Sequence, residues 1–218
     1  MPTPDWFSGL LPPGLSELQV AQLYGHYELL IKWNQRMNLT TVKPGPDMVI
    51  RHYCESLFFA AHLPSATESI SVLDLGSGAG FPGVPMAILN PNWHITLVES
   101  VQRKAVFLRE STRHLRNVSV LAERMENLSA HADWAVARAV DPNEVLGNIP
   151  RLAPNIGLMV GEDDFSALRG DSRIAWAEPV RLPWGDRKVC VYGNVSRGTS
   201  HVIVPRGTIN AEFSVSPR

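Results

Sequence analysis

The pattern of apolar positions divides the chain into a helical first part and an α/β second part. Residues 1–14 are rich in Pro and Gly, which predicts an N-terminal segment without regular secondary structure. A capping box at 16–19 then precedes apolar residues at Leu23, Tyr27 and Leu30, whose spacing predicts an amphipathic helix ending near Asn38. A second helix is predicted over residues 47–63, after a Pro-Gly-Pro break.

After residue 69 the spacing changes to short, β-branched, apolar runs that alternate with helical segments. Strands are predicted over residues 70–75, 93–98, 118–122, 134–137 and 155–160, with a helix over 101–115, a late hairpin over 173–182 and 187–192, and a strand-like run at 201–204. This alternation predicts a doubly wound, mostly parallel α/β sheet. Ligands of such sheets bind beyond the carboxyl ends of the strands. The expected division is an N-terminal helical extension (1–66), an α/β domain (67–193) and a C-terminal tail (194–218).

Composition narrows the class of protein only slightly. The 218 residues are 44% apolar and carry a net charge of -1, so the total charge does not indicate a nucleic-acid partner, although cations crowd residues 103–116. Cys54 and Cys190 lack metal-ligand spacing, and a disulfide between them is left open. With no signal peptide pattern and no apolar run long enough for a bilayer, we expect a cytoplasmic protein, a monomer without membrane contact or metal.

The segment with the clearest chemistry is a glycine-rich loop at residues 74–83, Asp-Leu-Gly-Ser-Gly-Ala-Gly-Phe-Pro-Gly, directly after the first strand. Glycine permits sharp turns and close approach of a ligand to the backbone. The acidic residue followed by three alternating glycines is typical of class I methyltransferases, whose loop binds the methionine part of S-adenosyl-L-methionine. The same loop also satisfies the dinucleotide fingerprint G-x-G-x-x-G, with Glu99 at the tip of the second strand.

Two features favour the methyltransferase interpretation of this loop. Asp74 and Gly76 extend the motif towards the strand, which a nicotinamide-binding fold does not need. Pro82 also removes an N–H where a pyrophosphate would need one. Glu99 has two compatible interpretations, a ligand of ribose hydroxyls or a cap of the helix that follows.

Several further segments occur in the order typical of one family. The chain resembles the bacterial small-subunit rRNA guanine-N7 methyltransferases, the glucose-inhibited division protein B family. The resemblance covers roughly residues 16–193 and rests on the segments at 32–34, 38–40, 51–56, 74–83, 98–100, 103–104, 107–109, 124–126, 137–139 and 185–187. Val160 stands where many members have lysine.

The resemblance implies specific roles for residues of this chain. The expected cofactor-binding residues are Gly76, Gly78, Phe81, Glu99, Met125, Glu126 and Arg138. Met125 and Glu126 would hold the adenine end, and Arg138 would lie at the junction of cofactor and acceptor. Arg51 and His52 are expected to contact RNA at the mouth of the site. Helical spacing alone favours an alternative, a surface ion pair between Arg51 and Glu55.

The predicted reaction is methyl transfer to guanine N7 in small-subunit ribosomal RNA. N7 has a free lone pair, so we predict no general base, and catalysis by positioning and exclusion of water. The chain lacks a Pro-Cys pair or an Asn-Pro-Pro motif after the fourth strand, which disfavours methylation of pyrimidine C5 or exocyclic amines. The alternatives are a small-molecule methyltransferase, an NAD-dependent oxidoreductase and a non-enzymatic RNA-binding module.

Overall fold

The structure, a computed structural model, describes residues 3–64, 69–184 and 187–195. The predicted run at 201–204 and the tail beyond Val195 lie outside these ranges, so the predicted division of the chain at residues 66 and 193 stays a prediction. Within the described ranges, no helix has the length and apolar character needed to cross a membrane.

The N-terminal part is helical, as predicted. Its elements are α1 (Asp5–Ser8), α2 (Glu17–Asn34), α3 (Pro46–Met48), a π-helical turn (Val49–Cys54) and α4 (Glu55–Ala61). The capping box of α2 is confirmed, because Gln19 N donates to Ser16 Oγ (3.3 Å) and Ser16 N to Gln19 Oε1 (2.9 Å). The N-terminal segment, predicted to lack regular structure, instead contains α1, because Phe7 is buried against the rings of Tyr24 and Tyr27.

The second part contains one sheet and its covering helices. The strands are β1 (Ser71–Leu75), β2 (His94–Val98), β3 (Val118–Leu121), β4 (Trp134–Arg138), β5 (Asn155–Gly161), β6 (Ile174–Trp176), β7 (Val180–Arg181) and β8 (Lys188–Val195). The helices are α5 (Gly83–Leu89), α6 (Gln102–Thr112), α7 (Pro142–Leu152) and α8 (Glu162–Leu168), with a 3₁₀ turn at Met125–Asn127.

Strand order confirms the predicted mostly parallel, doubly wound sheet. The order is β3-β2-β1-β4-β5-β8-β6, and β1 to β5 pair in parallel. The late hairpin takes the form of two short strands, β6 and β7, that both pair antiparallel with β8, which also pairs antiparallel with β5. The chain reverses its direction of strand addition between β1 and β4, so the crevice for a ligand is expected at their carboxyl ends.

The two faces of the sheet bury different side chains. One face packs against α2, α4, α5 and α6, and we call it the aromatic face after its buried rings: Phe59, Phe81, Phe107, Trp134 and Tyr192. The other packs against α7 and α8, and we call it the aliphatic face after residues such as Leu73, Leu75, Ile156, Leu158 and Val191. Because strand side chains alternate, Asp74, Arg138 and Lys188 belong to the aromatic face. Cys54 and Cys190 are buried there as free thiols, with no disulfide between them.

Candidate functional site

The glycine-rich loop leaves β1 at the carboxyl edge of the sheet. Its first amides, Gly76 N and Ser77 N, donate to the carbonyl oxygen of Val98 at 2.9 and 3.0 Å, which fixes the loop to the end of β2. Gly76, Gly78 and Gly80 have φ values of 72°, 56° and 92°. Residues with a Cβ rarely adopt this left-handed conformation, so the turn requires glycine.

Asp74 decides between the two interpretations of the loop. Its buried carboxylate accepts a hydrogen bond through Oδ2 from Gly83 N, the first amide of α5, at 3.0 Å. Burial raises the pKa of Asp74 from 3.8 to about 7. A pyrophosphate would need that amide free and would meet a carboxylate beside it. The geometry therefore disfavours a dinucleotide here.

Glu99, at the end of β2, joins two loops. Its Oε2 accepts from Gly78 N (3.0 Å) and its Oε1 from Val101 N (2.8 Å), immediately before α6. Glu99 thus contacts Val101, the residue before α6, and a capping role of its carboxylate stays a prediction. A role towards ribose hydroxyls stays a prediction, although the bond to Gly78 brings two of the predicted cofactor residues together.

Met125 and Glu126 lie on the 3₁₀ turn after β3. Met125 is buried in the same hydrophobic cluster as Leu75 and Val98, the last residues of β1 and β2, whereas Glu126 is exposed. Arg151 of α7 holds this turn from behind, since its Nη2 donates to the carbonyl oxygens of Met125 (2.8 Å) and Glu126 (3.2 Å). The turn therefore stands at the same edge of the sheet as the glycine-rich loop.

Phe81 brings the loop into contact with the N-terminal helices. Its ring stacks on that of His52, with centroids 4.7 Å apart and planes inclined by 21°. His52 Nε2 lies 2.7 Å from Thr40 Oγ1. Burial, with the nearby Arg138 charge, lowers the pKa of His52 to about 3, so its ring is neutral at pH 7. Of the two predicted RNA contacts, His52 is half-buried and Arg51 is exposed.

Arg138, at the end of β4, is held by the π-helical turn and α4. Its Nη2 donates to the backbone carbonyl oxygen of Arg51 and lies 2.9 Å from Glu55 Oε2. Glu55 is buried and also accepts from Lys188 Nζ at 3.2 Å. The alternative of a surface ion pair between Arg51 and Glu55 is therefore wrong, because the Glu55 carboxylate points inwards to Arg138 and Lys188.

A second histidine supports the loop from α2. His26 is buried, and its Nδ1 lies 2.8 Å from the hydroxyl of Tyr53. A Cβ placed on Gly80 would stand 3.2 Å from His26 Nε2, so the loop backbone passes directly beside this ring. Burial lowers the pKa of His26 to about 3. The helical extension thus forms one wall behind the loop.

The polar atoms around this loop fit the methionine part of S-adenosyl-L-methionine. Asp74 Oδ1, Arg138 Nη1 and His52 Nδ1 are buried and have no hydrogen-bond partner among the described residues. Asp74 and His52 are both electrostatic neighbours of Arg138. Buried polar groups of a native protein normally have partners. A carboxylate oxygen and a guanidinium N–H are suitable partners for the ammonium and carboxylate of an amino acid.

Comparison with known proteins identifies the family. The family described as GidB, rRNA small subunit methyltransferase G, matches residues 19–172, a range that contains the loop, Arg51, His52 and Arg138. The chain belongs to this family. A ribosomal RNA small subunit methyltransferase G of Xanthomonas euvesicatoria is 35% identical over 196 residues, covering 84% of this chain and 91% of the relative. The protein of the same name from Lactococcus lactis is 34% identical and covers 72% and 71% of the two chains.

Solved structures show the same fold. A SAM-dependent methyltransferase of Aquifex aeolicus superposes with a TM-score of 0.55 at 16% identity, over 70% of this chain and 94% of that one. A ribosomal protein L11 methylase of Lactobacillus delbrueckii gives a TM-score of 0.53 at 10% identity, over 66% and 78%. The class I methyltransferase fold predicted from the sequence is confirmed, and this member of the methyltransferase G family is an S-adenosylmethionine-dependent enzyme.

Three residues of the family member's site were not predicted in the roles that the structure gives them. Lys188 reaches Glu55 because β8 runs antiparallel to β5, where Lys188 pairs with Gly161. His26 lies on the apolar stripe of α2, three residues after Leu23 and four before Leu30. This spacing indicates a buried side chain. Glu55 lies close to the apolar run of α4, but spacing along one helix could not show its distant partners.

Among the described residues, no group of His, Cys, Asp or Glu is arranged to hold a metal.

Proposed function

We propose that the enzyme transfers the methyl group of S-adenosyl-L-methionine to N7 of a guanine in small-subunit ribosomal RNA. The observation that carries this proposal is the family match over residues 19–172, which includes every predicted site residue. The relatives bear the name ribosomal RNA small subunit methyltransferase G. The guanine and its N7 follow from the family resemblance of the sequence motifs.

The predicted residues divide into two groups around the loop. Cofactor binding is assigned to Gly76, Gly78, Phe81, Glu99, Met125, Glu126 and Arg138. The unpartnered Asp74 Oδ1 and Arg138 Nη1 support a zwitterionic amino acid group between them. When bound, the cofactor supplies an electrophilic methyl group on a sulfonium. Arg51 and His52, on the turn that contacts Arg138 and Phe81, are assigned to the RNA side.

The reaction needs no proton removal from the acceptor. The N7 lone pair forms the new C–N bond while the C–S bond breaks and sulfur keeps the electron pair. The methylated guanine gains positive charge, and both nearby histidines are neutral at pH 7 because burial lowers their pKa values to about 3. Neutral rings avoid repulsion of the cationic product. The residues of this chain therefore contribute orientation of the base and exclusion of water.

The acceptor base must be exposed before it can react. Enzymes that act on bases use a loop or flip the base from its stack. Arg51 is exposed beside Arg138, the residue at the end of β4, so its cation is placed to contact a phosphate that flanks such a base. We also infer that the enzyme acts in the cytoplasm as a monomer, which sedimentation velocity would check.

The test is methylation of defined RNA. Small-subunit RNA from cells lacking this modification is incubated with cofactor labelled in its methyl group, and the labelled nucleotide is mapped after digestion. We expect one labelled 7-methylguanosine. Label in a different base, or methylation of small molecules without methylation of the RNA, would contradict the proposal. Isothermal calorimetry with S-adenosylhomocysteine and with NAD should detect binding of the first alone.

A further inference from the structure

A second concave surface lies outside the candidate site, where the C-terminal half of α2 faces α6. The cavity has a volume of about 570 Å³, and its lining includes Lys32, Trp33, Arg36, Arg109 and Glu110. We call it the α2–α6 groove. None of its residues belongs to the predicted cofactor or RNA contacts.

The α2–α6 groove carries excess positive charge. Lys32, Arg36 and Arg109 are exposed, and none of them forms an ion pair with another residue in the ranges that the structure describes. The carboxylate in the lining, Glu110, lies 3.5 Å from Arg113 Nη1, which offsets its charge. Because the whole chain has a net charge of -1, this local excess is not a property of the general surface. It attracts a polyanion.

The groove also contains an aromatic surface. Trp33 is half-buried, and its ring packs against Phe107 with centroids 5.7 Å apart. Val106, also in the lining, is 50% exposed, so the groove presents a second apolar side chain. Proteins that bind single-stranded nucleic acid combine cations along the backbone path with aromatic rings on which bases stack. Cations and a partly exposed indole in one groove match that combination.

The groove is connected to the candidate site by hydrogen bonds. Asn34, next to Trp33, accepts from Thr40 N through Oδ1 at 2.9 Å and donates to the Thr40 carbonyl oxygen at 3.0 Å. Thr40 Oγ1 in turn lies 2.7 Å from His52 Nε2, and His52 stacks on Phe81 of the glycine-rich loop. The end of α2 that carries Lys32 and Trp33 is therefore held against the mouth of the site.

We propose that the α2–α6 groove binds a single-stranded segment of the RNA substrate that flanks the methylated guanine. This inference rests on the proposed function. Lys32, Arg36 and Arg109 contact phosphates, and Trp33 stacks on one base. The groove thus supplies affinity for the RNA while the residues at the carboxyl edge of the sheet hold the reacting base.

A pair of double variants tests the charges. In R36A/R109A, we expect the Kd for a labelled single-stranded oligonucleotide of the substrate region to rise about tenfold, and the slope of log K against log salt to become shallower by about 1 to 2. The KM for small-subunit RNA should rise by a similar factor, while kcat at saturating RNA and the affinity for S-adenosylhomocysteine stay within about twofold.

The matched control removes two arginines at the opposite edge of the sheet. Arg169 and Arg173 are exposed and form ion pairs with Glu178 and Asp171. In R169A/R173A, the RNA affinity and the salt slope should stay at their wild-type values. Equal changes in both double variants would overturn the proposal, since they would show a general effect of net charge.

A variant of the indole tests stacking separately from charge. Trp33→Leu should weaken oligonucleotide binding several-fold without a change in the salt slope, because stacking releases no counterions. Trp33→Phe should recover most of the affinity, which also controls for packing against Phe107. Unchanged affinity in folded Trp33→Leu would overturn the stacking role.

Two outcomes separate this inference from the proposed function. If wild-type enzyme methylates the RNA but R36A/R109A binds and methylates it normally, only the groove inference is wrong. If wild-type enzyme transfers no methyl group to the RNA, the proposed function is wrong. The salt slope of oligonucleotide binding, compared between wild type and R36A/R109A, then still tests the groove inference. Competition by polyglutamate as effective as that by the oligonucleotide would assign the groove to an acidic protein and overturn the inference.

Discussion

The two faces of the sheet differ in what they bury. The aliphatic face packs Leu, Ile, Val and Ala side chains against α7 and α8. The aromatic face packs rings against the N-terminal helices and also encloses Asp74, Glu55 and Arg138 with the two histidines, His26 and His52. Buried charges and unpartnered polar atoms cost stability. A fold that keeps them therefore meets a further requirement, such as binding of a ligand.

The contrast indicates that the two faces of the sheet have different roles. The aliphatic face stabilises the fold through burial of apolar surface. The aromatic face holds the groups that the cofactor and the acceptor need, and the helical extension encloses them. Substitutions on the two faces should therefore affect stability and activity differently, with effects that range from several kcal/mol in the core to a change of KM at the surface.

The largest effect should come from Asp74, as a pH dependence of stability. Its folded pKa of about 7 lies above the ordinary 3.8, so the native state holds an extra proton between these values. The free energy of unfolding should therefore fall as pH rises from about 4 to 7, by up to about 4 kcal/mol. Asp74→Asn should remove this decrease, as measured by urea unfolding across the pH range.

Asp133 provides the matched control for that profile. Hydrogen bonds from Ser71 N and Oγ lower the pKa of the Asp133 carboxyl. Its contribution to stability is present above the unfolded pKa and is lost as pH falls. Asp133→Asn should therefore lower the free energy of unfolding at neutral pH and remove the loss at acid pH, while the decrease between about pH 4 and 7 stays as in the wild type. Parallel profiles for Asp74→Asn and wild type would contradict the assignment of a raised pKa.

The next effect concerns the buried ion pairs of the aromatic face. Glu55→Gln leaves the Arg138 guanidinium without its carboxylate, which should reduce the free energy of unfolding by about 3 kcal/mol. It should also reduce methyl transfer, because Arg138 loses its orientation. Chemical denaturation and turnover at a temperature where the variant stays folded measure the two losses.

Leu158→Ala makes the corresponding change on the aliphatic face. Leu158 is buried, and its truncation should cost about 3 kcal/mol. Turnover below the melting temperature should nevertheless stay near the wild-type value. Equal losses of turnover in Glu55→Gln and Leu158→Ala would remove the distinction between the faces.

A smaller effect is expected at Gly76. The backbone of Gly76 has a φ of +72°, and a Cβ added there would stand 2.5 Å from Val140 Cγ2. Gly76→Ala should therefore cost about 1–2 kcal/mol in stability. It should also weaken binding of S-adenosylhomocysteine. Gly14 has a φ of +89°, and a Cβ added there would have no other atom within 4 Å. Gly14→Ala should therefore share the backbone strain but keep full cofactor affinity in calorimetry.

The smallest effect is expected at Arg51, which is exposed. Arg51→Ala should leave cofactor affinity unchanged and should raise the KM for RNA by up to about tenfold, as expected for loss of one phosphate contact. Steady-state kinetics on small-subunit RNA measures this effect. Unchanged kinetics would remove Arg51 from the RNA side of the site.

Much of the fold could be predicted because it depends on local pattern. The strands of the parallel sheet and α2 with its capping box follow from apolar spacing and from the residues that start and end each element. The short helix α1 could not be predicted, because Phe7 orders it through contacts with rings of α2 and with Tyr53 on the π-helical turn. The π-helical turn likewise has no signal in the spacing of its residues.

The candidate site could be predicted where its chemistry lies in one continuous segment. The glycine-rich loop and Glu99 at the end of the next strand are of this kind. The ion pairs of Glu55 could not be predicted in this way, since Lys188 is 133 positions away in the chain. Spacing within the helix instead favoured Arg51, the neighbour one turn away.

The sequence by itself determined the class of fold, the loop and the family, because each depends on residue types at short separations. Only the tertiary structure decided which polar groups meet at that loop. Side chains from α2, the π-helical turn, β4 and β8 converge on the aromatic face through strand order and helix packing. Those contacts join residues far apart in the chain, and no local pattern encodes their distances.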